Sequence, residues 1–147
     1  MRLFFEVIFS WCIPGFGYIS RGRVMKGILL FLLIQGIFMA GLLFHGSLTP
    51  PIIEKSGGGV ISVLTFLIQL GNGIMGFLSF GSVLWTRNIL ESGATPGDVL
   101  KFFSGDQTHA CYDLGSFYIL VSGALNYFTL TTFYDRYKNQ RTLPGQE

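Results

Sequence analysis

Charged residues are scarce in this sequence, since Asp, Glu, Lys and Arg make up only 12% of its 147 residues. A soluble globular domain of this length needs a charged surface, and this chain has little with which to form one. The sequence also lacks the alternation of polar and apolar residues that marks the strands of a transmembrane β-barrel. Its net charge of +2 is too small and too dispersed to indicate a nucleic-acid partner. These absences favour a helical membrane protein.

The residue patterns of catalytic and metal sites are missing as well. Cys12 and Cys111 lie far apart with no paired spacing for a metal, and we expect no disulfide between them. His45 and His109 flank apolar segments and have no second ligand at metal spacing. No paired carboxylates, nucleophile elbow or phosphate-binding glycine loop occurs. We therefore predict that the chain is not an enzyme and needs no cofactor or metal. A bound lipid is compatible with its apolar composition.

Long apolar runs occupy most of the chain. A helix needs about 20 predominantly apolar residues to cross the hydrocarbon of a bilayer. We expect an all-α integral membrane protein, a small bundle of four apolar helices in a single domain over residues 1–134. The polar tail at 135–147 is expected to be mobile. The four predicted segments cover residues 3–20, 27–45, 60–85 and 114–133.

Proline and glycine mark the places where these helices are expected to bend. Pro14 removes a backbone hydrogen bond, so the first segment is predicted to be kinked there, and it either crosses the bilayer as a kinked helix or enters and returns. Gly71-Asn72-Gly73 marks the centre of the third segment as the site of a bend or close contact. In the connector before the fourth segment, Thr95 fits an N-cap and Pro96 a first helical position, which predicts a short interfacial helix near 96–103.

The basic residues give no membrane orientation if all four segments cross. Cytoplasmic flanks of membrane helices are enriched in Lys and Arg. Four crossings place five basic residues on each side, and we prefer this arrangement. The alternative is three crossings, with the glycine-rich third segment forming a re-entrant hairpin, which requires partners that bury its backbone. The two sets of five are Arg2, Lys55, Arg136, Lys138 and Arg141 against Arg21, Arg23, Lys26, Arg87 and Lys101.

Small and polar residues inside the apolar segments predict close helix packing. In the fourth segment such residues recur on one helix face, where they let a neighbouring helix approach and form hydrogen bonds. The same reasoning applies to the amides and small residues of the second and third segments. We expect this set to form packing contacts within the chain or an interface with another subunit. The set comprises Gly36, Ala40, Gln35, Gln69, Asn72, Gly73, Gly76, Gly115, Ser122, Gly123, Asn126 and Thr129.

Glu6 is the only acidic residue within an apolar segment. An acid inside a membrane is a functional candidate by default. Because Glu6 lies close to the start of the chain, pairing with the α-amino group, with Arg2 or with a basic residue of another chain is the competing interpretation.

The run Pro14-Gly15-Phe16-Gly17-Tyr18, with Gly22-Arg23 and Lys26-Gly27, resembles the opening of two related families. One is the two-transmembrane-helix domain family, and the other consists of small bacterial membrane proteins of uncharacterised function. The second family is similar again at 112–115 and 122–126, although the aspartate expected soon after the latter is not clearly placed. The resemblance implies a multi-pass protein of the bacterial cytoplasmic membrane and a turn formed by Pro14, Gly15, Gly17, Gly22 and Arg23.

Two functions fit these observations. The preferred hypothesis is a non-catalytic membrane subunit that packs against other integral membrane proteins, or against further copies of itself, in a larger complex. The alternative is a small oligomeric channel or transporter-like protein. Its path would be lined by Glu6, Gln35, Gln69, Asn72 and Asn126.

Overall fold

A computed structural model describes residues 2–48 and 59–142. All regular structure within these ranges is helical, which confirms the all-α class. The predicted residues Lys55 and 143–147 lie outside the described ranges. The helices are α1 (Arg2–Cys12), α2 (Phe16–Ser20), α3 (Val24–Leu43), α4 (Gly59–Gln69), a 3-10 turn (Leu70–Asn72), α5 (Ile74–Glu91), α6 (Asp98–Ser104) and α7 (Tyr112–Thr142).

Helices α3 and α7 form an antiparallel pair at the centre of the fold. The end of α3 meets the start of α7, where Gly41 packs against Gly115 and Ile119 so closely that a Cβ on either glycine would overlap its neighbour. At the opposite end, the ring of Tyr18 meets that of Phe133, with centroids 5.4 Å apart. We call the end that contains His45, Asp106 and His109 the histidine end, and the end that contains Arg21, Lys26 and Tyr137 the basic end.

The first segment is a helical hairpin rather than a kinked helix. Helix α1 ends at Cys12 and α2 begins at Phe16, with Gly15 between them at φ +82°. The rings of Phe9 and Phe16 lie 5.5 Å apart, so the chain reverses at this break. Glu6 on α1 meets Arg21, which follows α2, at the basic end. Pro14 therefore ends a helix instead of bending one, and this segment enters and leaves at the same end of the bundle.

The third segment is a second hairpin. The rings of Phe66 on α4 and Phe80 on α5 pack together with centroids 4.9 Å apart. An unbroken helix would separate residues fourteen positions apart by about 21 Å, so the chain reverses at the 3-10 turn. The Ser79 hydroxyl then donates to the Phe103 carbonyl at 2.9 Å, which holds α5 against α6 on the way to the histidine end. The helix is interrupted at Gly71–Gly73, where a bend is predicted, but the chain reverses its direction there instead of only bending.

Several predicted boundaries also change. Helix α6 begins at Asp98, with Gly97 rather than Thr95 in the N-cap position and no side-chain cap. Helix α7 continues to Thr142, so residues 135–142 of the predicted tail are helical. Within the described ranges, α3 alone is both long and apolar enough to cross a membrane. The structure thus has two long central helices and two hairpins where four apolar helices are predicted.

Candidate functional site

Polar side chains gather at the middle of the bundle, where the tips of the two hairpins meet α7. Asn72 lies on the 3-10 turn, while Ser122 and Asn126 lie one helical turn apart on α7. All three residues are at most 1% exposed. We call these three residues the polar centre. A buried amide or hydroxyl is costly unless it is hydrogen-bonded, so the partners of these groups define what the site does.

Asn126 ties both hairpins to α7. Its Nδ2 donates to the carbonyl of Trp11 at 3.1 Å and to that of Gly71 at 2.7 Å. The last carbonyls of a helix have no partner within that helix. One side-chain amide therefore satisfies a carbonyl at the end of α1 and another at the tip of the second hairpin. The two donations fix the orientation of the amide, and its Oδ1 is buried without a hydrogen-bond partner among the described residues.

Asn72 and Ser122 hold the second hairpin in register with α7. The Asn72 Nδ2 donates to the carbonyl of Gln69 at 2.8 Å and to that of Ile119 at 2.9 Å. The Ser122 hydroxyl donates to the Asn72 Oδ1. Gln69 is 1% exposed and lies directly before the turn. These groups are amides, hydroxyls and carbonyls that do not titrate near neutral pH, so their arrangement suits the fixing of backbone rather than proton transfer.

Glycines allow the three backbones to approach at this point. A Cβ on Gly73 would overlap the carbonyl oxygen of Trp11, and one on Gly123 would overlap that of Ile68. Gly73 also has φ +63°, a left-handed conformation that other residues adopt only with strain. A Cβ on Gly71 would lie 2.5 Å from the Gly123 carbonyl oxygen, and one on Gly76 would make a tight contact at 3.3 Å. The centre is therefore closely packed.

The other predicted packing residues divide into two groups. Gly115 packs inside the bundle against the backbone of Gly46, and the Thr129 hydroxyl donates to the carbonyl one turn back in α7 at 2.9 Å. Gln35, Gly36 and Ala40 lie instead on the outer part of α3. Apart from its chain neighbours and the backbone of its own helix, no described atom lies within 4 Å of the position that a Cβ on Gly36 would take.

The predicted turn motif builds the first hairpin and its link to α3. Gly15 lies against the carbonyl of Gly27, and a Cβ on Gly17 would lie 2.8 Å from the Phe133 ring. After α2 the backbone N–H of Arg23 donates to the Tyr18 carbonyl at 2.9 Å, and Gly22 between them has φ +77°. The motif thus closes a turn and lets α3 and α7 approach the hairpin.

Glu6 lies at the basic end rather than in the polar centre. Its carboxylate is 2.6 Å from the Arg21 guanidinium, and the side chain is 7% exposed. The five residues of the predicted channel path therefore fall in three different places in the bundle. Glu6 is at the basic end, Gln35 is on the outer part of α3, and Gln69, Asn72 and Asn126 are buried in the closely packed centre.

The histidine end contains a contact that sequence reasoning missed. The rings of His45 and His109 lie 4.2 Å apart, and the His45 carbonyl accepts from the backbone N–H of Asp106 at 3.0 Å. Hydrogen bonds from the side chain and backbone of Thr108 lower the pKa of Asp106, with a smaller contribution from the two histidines. Within the described residues, no group of three or more His, Cys, Asp or Glu side chains could hold a metal ion. Because 64 residues separate the two histidines, no local pattern could have paired them.

No curated protein and no solved structure matches the chain. A protein-family model does match it, and that match covers residues 5–142, from the first hairpin to the last residue of α7. Since the match includes both hairpins and both long helices, it applies to the whole fold described above. The chain belongs to the family of unknown function DUF6677.

Proposed function

We propose that the chain is an integral membrane protein in which α3 and α7 cross the bilayer and the two hairpins are re-entrant. Large apolar side chains are exposed on α1, α3, α4, α5, α6 and α7, among them Leu29 at 65%, Leu64 at 56% and Phe128 at 70% exposure. Such a surface suits lipid, because exposed apolar area on this scale is rare on soluble monomers. Re-entrant backbone in a bilayer must be buried in protein, and both hairpin tips meet that condition.

The polar residues of α7 are compatible with a membrane span. Ser122 and Asn126 reduce the apolar character of this helix, but both are fully buried and bonded to the hairpins. Their donor groups are therefore satisfied inside the protein, while Phe117 and Phe128 on the same helix are exposed. In a bilayer, α7 would present an apolar surface to lipid and a polar surface to the hairpin tips.

Two crossings resolve the conflict among the basic residues. With both hairpins re-entrant, the two dense basic clusters of the sequence belong to one side, at the basic end. Arg87 and Lys101 remain at the histidine end. Because cytoplasmic flanks are enriched in Lys and Arg, we assign the basic end to the cytoplasm. A bacterial cytoplasmic membrane is the proposed location. The clusters are Arg21, Arg23 and Lys26 with Arg136, Lys138 and Arg141.

Within that membrane, we infer a non-catalytic structural or accessory subunit that packs against other membrane helices. This proposal rests on the amide of Gln35, near the middle of α3, which has no hydrogen bond to any described residue. Gln35 is partly exposed. An amide in hydrocarbon gains from bonding to a neighbouring helix, and small residues allow that helix to approach. Gly36 and Ala40 supply such residues beside Gln35.

Native mass measurement after mild detergent extraction tests this proposal. We expect the extracted protein to have a mass above that of one chain, through a second copy or another membrane subunit. Gln35→Leu and Gly36→Leu should each shift the population toward the monomer. The matched control is Gly81→Leu on α5, a glycine that is likewise exposed and has no atom within 4 Å of its Cβ position. A lone monomer that both α3 variants leave unchanged would contradict the proposal.

A further inference from the structure

The basic end brings together positive charges that are far apart in the sequence. Helix α2 packs against the last turns of α7, where Tyr18 meets Phe133 and the Arg21 guanidinium lies 4.8 Å from the centre of the Tyr137 ring. The residues that follow α2 and begin α3 therefore lie beside the end of α7. The start of α3 and the end of α7 lie together because of the two hairpins. Each hairpin returns the chain to the end of the bundle at which that hairpin began.

Three of these charges have no ionic partner among the described residues. Arg21 is paired with Glu6, but Arg23, Lys26 and Arg136 form no ion pair with any described residue. We call these three residues the cation cluster. The cation cluster lies beside the packed rings of Tyr18 and Tyr137. The Lys26 Nζ lies 4.7 Å from the centre of the Tyr18 ring, and the backbone N–H of Arg23 donates to the Tyr18 carbonyl at 2.9 Å. Arg136 directly precedes Tyr137 on α7.

The backbone adds donors at the same place. Helix α3 begins at Val24, with Arg23 in the N-cap position and no side chain that caps its first N–H groups. The N-terminus of a 20-residue helix attracts anions through these N–H groups and through its dipole. Like charges gathered at one end of the bundle repel one another, and an anion that contacts several of them relieves this repulsion. Guanidinium groups match the oxygens of a phosphate particularly well.

The surroundings indicate that this anion belongs to a lipid. Val24 and Met25 are 46% and 82% exposed directly beside the cation cluster, so acyl chains could lie next to a bound headgroup. We propose that the cation cluster binds the phosphate of an anionic phospholipid headgroup at the surface of the membrane. This inference rests on the proposed membrane insertion, and it adds a specific lipid site to a protein otherwise assigned only a packing role.

Reconstitution into lipid nanodiscs tests the site. The probe is phosphatidylglycerol mixed with phosphatidylcholine, and the measurement is the number of each lipid retained on the protein in native mass spectra. We expect preferential retention of phosphatidylglycerol. Arg23→Gln, Lys26→Gln and Arg136→Gln should each reduce this preference about five-fold, the effect typical of one basic residue near an anionic membrane surface. Arg23→Lys should retain most of it, which separates loss of charge from loss of folding.

The matched control is Arg87→Gln combined with Lys101→Gln, two charges removed from the histidine end, which should leave the preference unchanged. Equal retention of both lipids by the unmodified protein, or unchanged retention in the combined triple variant, would overturn the inference. Displacement of the lipid by millimolar inorganic phosphate would show a site for free phosphate and would also overturn it. A chain that fails to enter phosphatidylcholine discs contradicts the proposed function. One that enters them without lipid preference contradicts this inference alone.

Discussion

The carboxylate of Glu6 and the guanidinium of Arg21 lie 2.6 Å apart across the open end of the first hairpin, with side chains 7% and 23% exposed. The hydrogen bond from Arg21 Nε to the same carboxylate oxygen is 2.8 Å long. Because the contact joins the start of the hairpin to the residue that follows its second helix, it holds the two arms together. An acid in an apolar segment thus has a structural partner fifteen residues away.

We expect Glu6→Gln to lower the free energy of unfolding by about 2–3 kcal/mol, because it leaves the Arg21 charge partly buried without this carboxylate. Equilibrium unfolding in mixed detergent and SDS micelles measures the change. Arg87 and Glu91 form an exposed pair at 3.2 Å, so Glu91→Gln is the control and should cost at most about 0.5 kcal/mol. Equal effects of the two substitutions would contradict a structural role for the Glu6 pair.

Asn126→Leu should destabilise the fold by about 2–4 kcal/mol in the same assay. The substitution leaves two buried carbonyls, those of Trp11 and Gly71, without their donor. Thr131→Val is the comparison, since this exposed hydroxyl bonds only to the carbonyl of Phe128 within its own helix. If Asn126→Leu has no more effect than Thr131→Val, the polar centre does not hold the hairpins in place.

Two glycine substitutions should change stability in opposite directions. Gly73→Ala places a Cβ against the Trp11 carbonyl at a residue with φ +63°, and we expect a loss of at least about 2 kcal/mol. Gly81→Ala lies in the interior of α5 with no atom within 4 Å, so it should raise stability by about 0.5–1 kcal/mol. Thermal unfolding in detergent compares them, and a neutral Gly73→Ala would show that the hairpin tips are not in close contact.

Cysteine labelling in sealed vesicles distinguishes two membrane crossings from four. In a background of Cys12→Ala and Cys111→Ser, single cysteines replace Gly22, Lys138 or Gly97. Two crossings predict that a membrane-impermeant reagent reaches Gly22→Cys and Lys138→Cys from the same side and Gly97→Cys from the opposite side. Four crossings would place Gly22 and Lys138 on opposite sides, and that pattern would reject the re-entrant arrangement.

The Thr108 side chain should contribute to the lowered pKa of Asp106 in the loop at the histidine end. The Thr108 hydroxyl donates to the Asp106 carboxylate at 2.6 Å and is the largest cause of the lowered pKa of this residue. A lowered pKa in the folded loop means that the contact stabilises the loop above the ordinary aspartate pKa and is lost as the pH falls through the folded value. Thr108→Val should raise the Asp106 pKa, as measured by NMR titration of the carboxyl carbon. An unchanged pKa would assign the shift to the backbone donor.

Hydropathy located the helical segments but could not distinguish a crossing helix from a hairpin. The segment at 60–85 is apolar throughout, and the same composition suits one long helix or two short ones. Gly71-Asn72-Gly73 and Pro14-Gly15 marked the breaks correctly because glycine and proline act on the local backbone. The direction of the chain after each break is a matter of contacts between residues far apart in the sequence, such as the hydrogen bonds from Asn126 to the backbone of both hairpins.

The residues of the candidate site were visible in the sequence, but their partners were not. Ser122 and Asn126 stand out in the sequence because amides and hydroxyls inside apolar helices need hydrogen bonds. Spacing on α7 showed that they share a face, without indicating what that face contacts. The structure supplies main-chain carbonyls at interrupted helices as their partners, and such carbonyls carry no signature in sequence. The contact between the rings of His45 and His109 is equally unpredictable from the sequence, because it depends on the antiparallel arrangement of α3 and α7.

The positions of Arg2 and Thr142 have a consequence for how the protein is made. The first hairpin begins at the basic end, and α7 finishes there. In a bilayer, neither of these residues would have to be translocated during synthesis. Among the described residues, only those between α3 and α7 would be carried to the far side, where the second hairpin then folds back into the lipid.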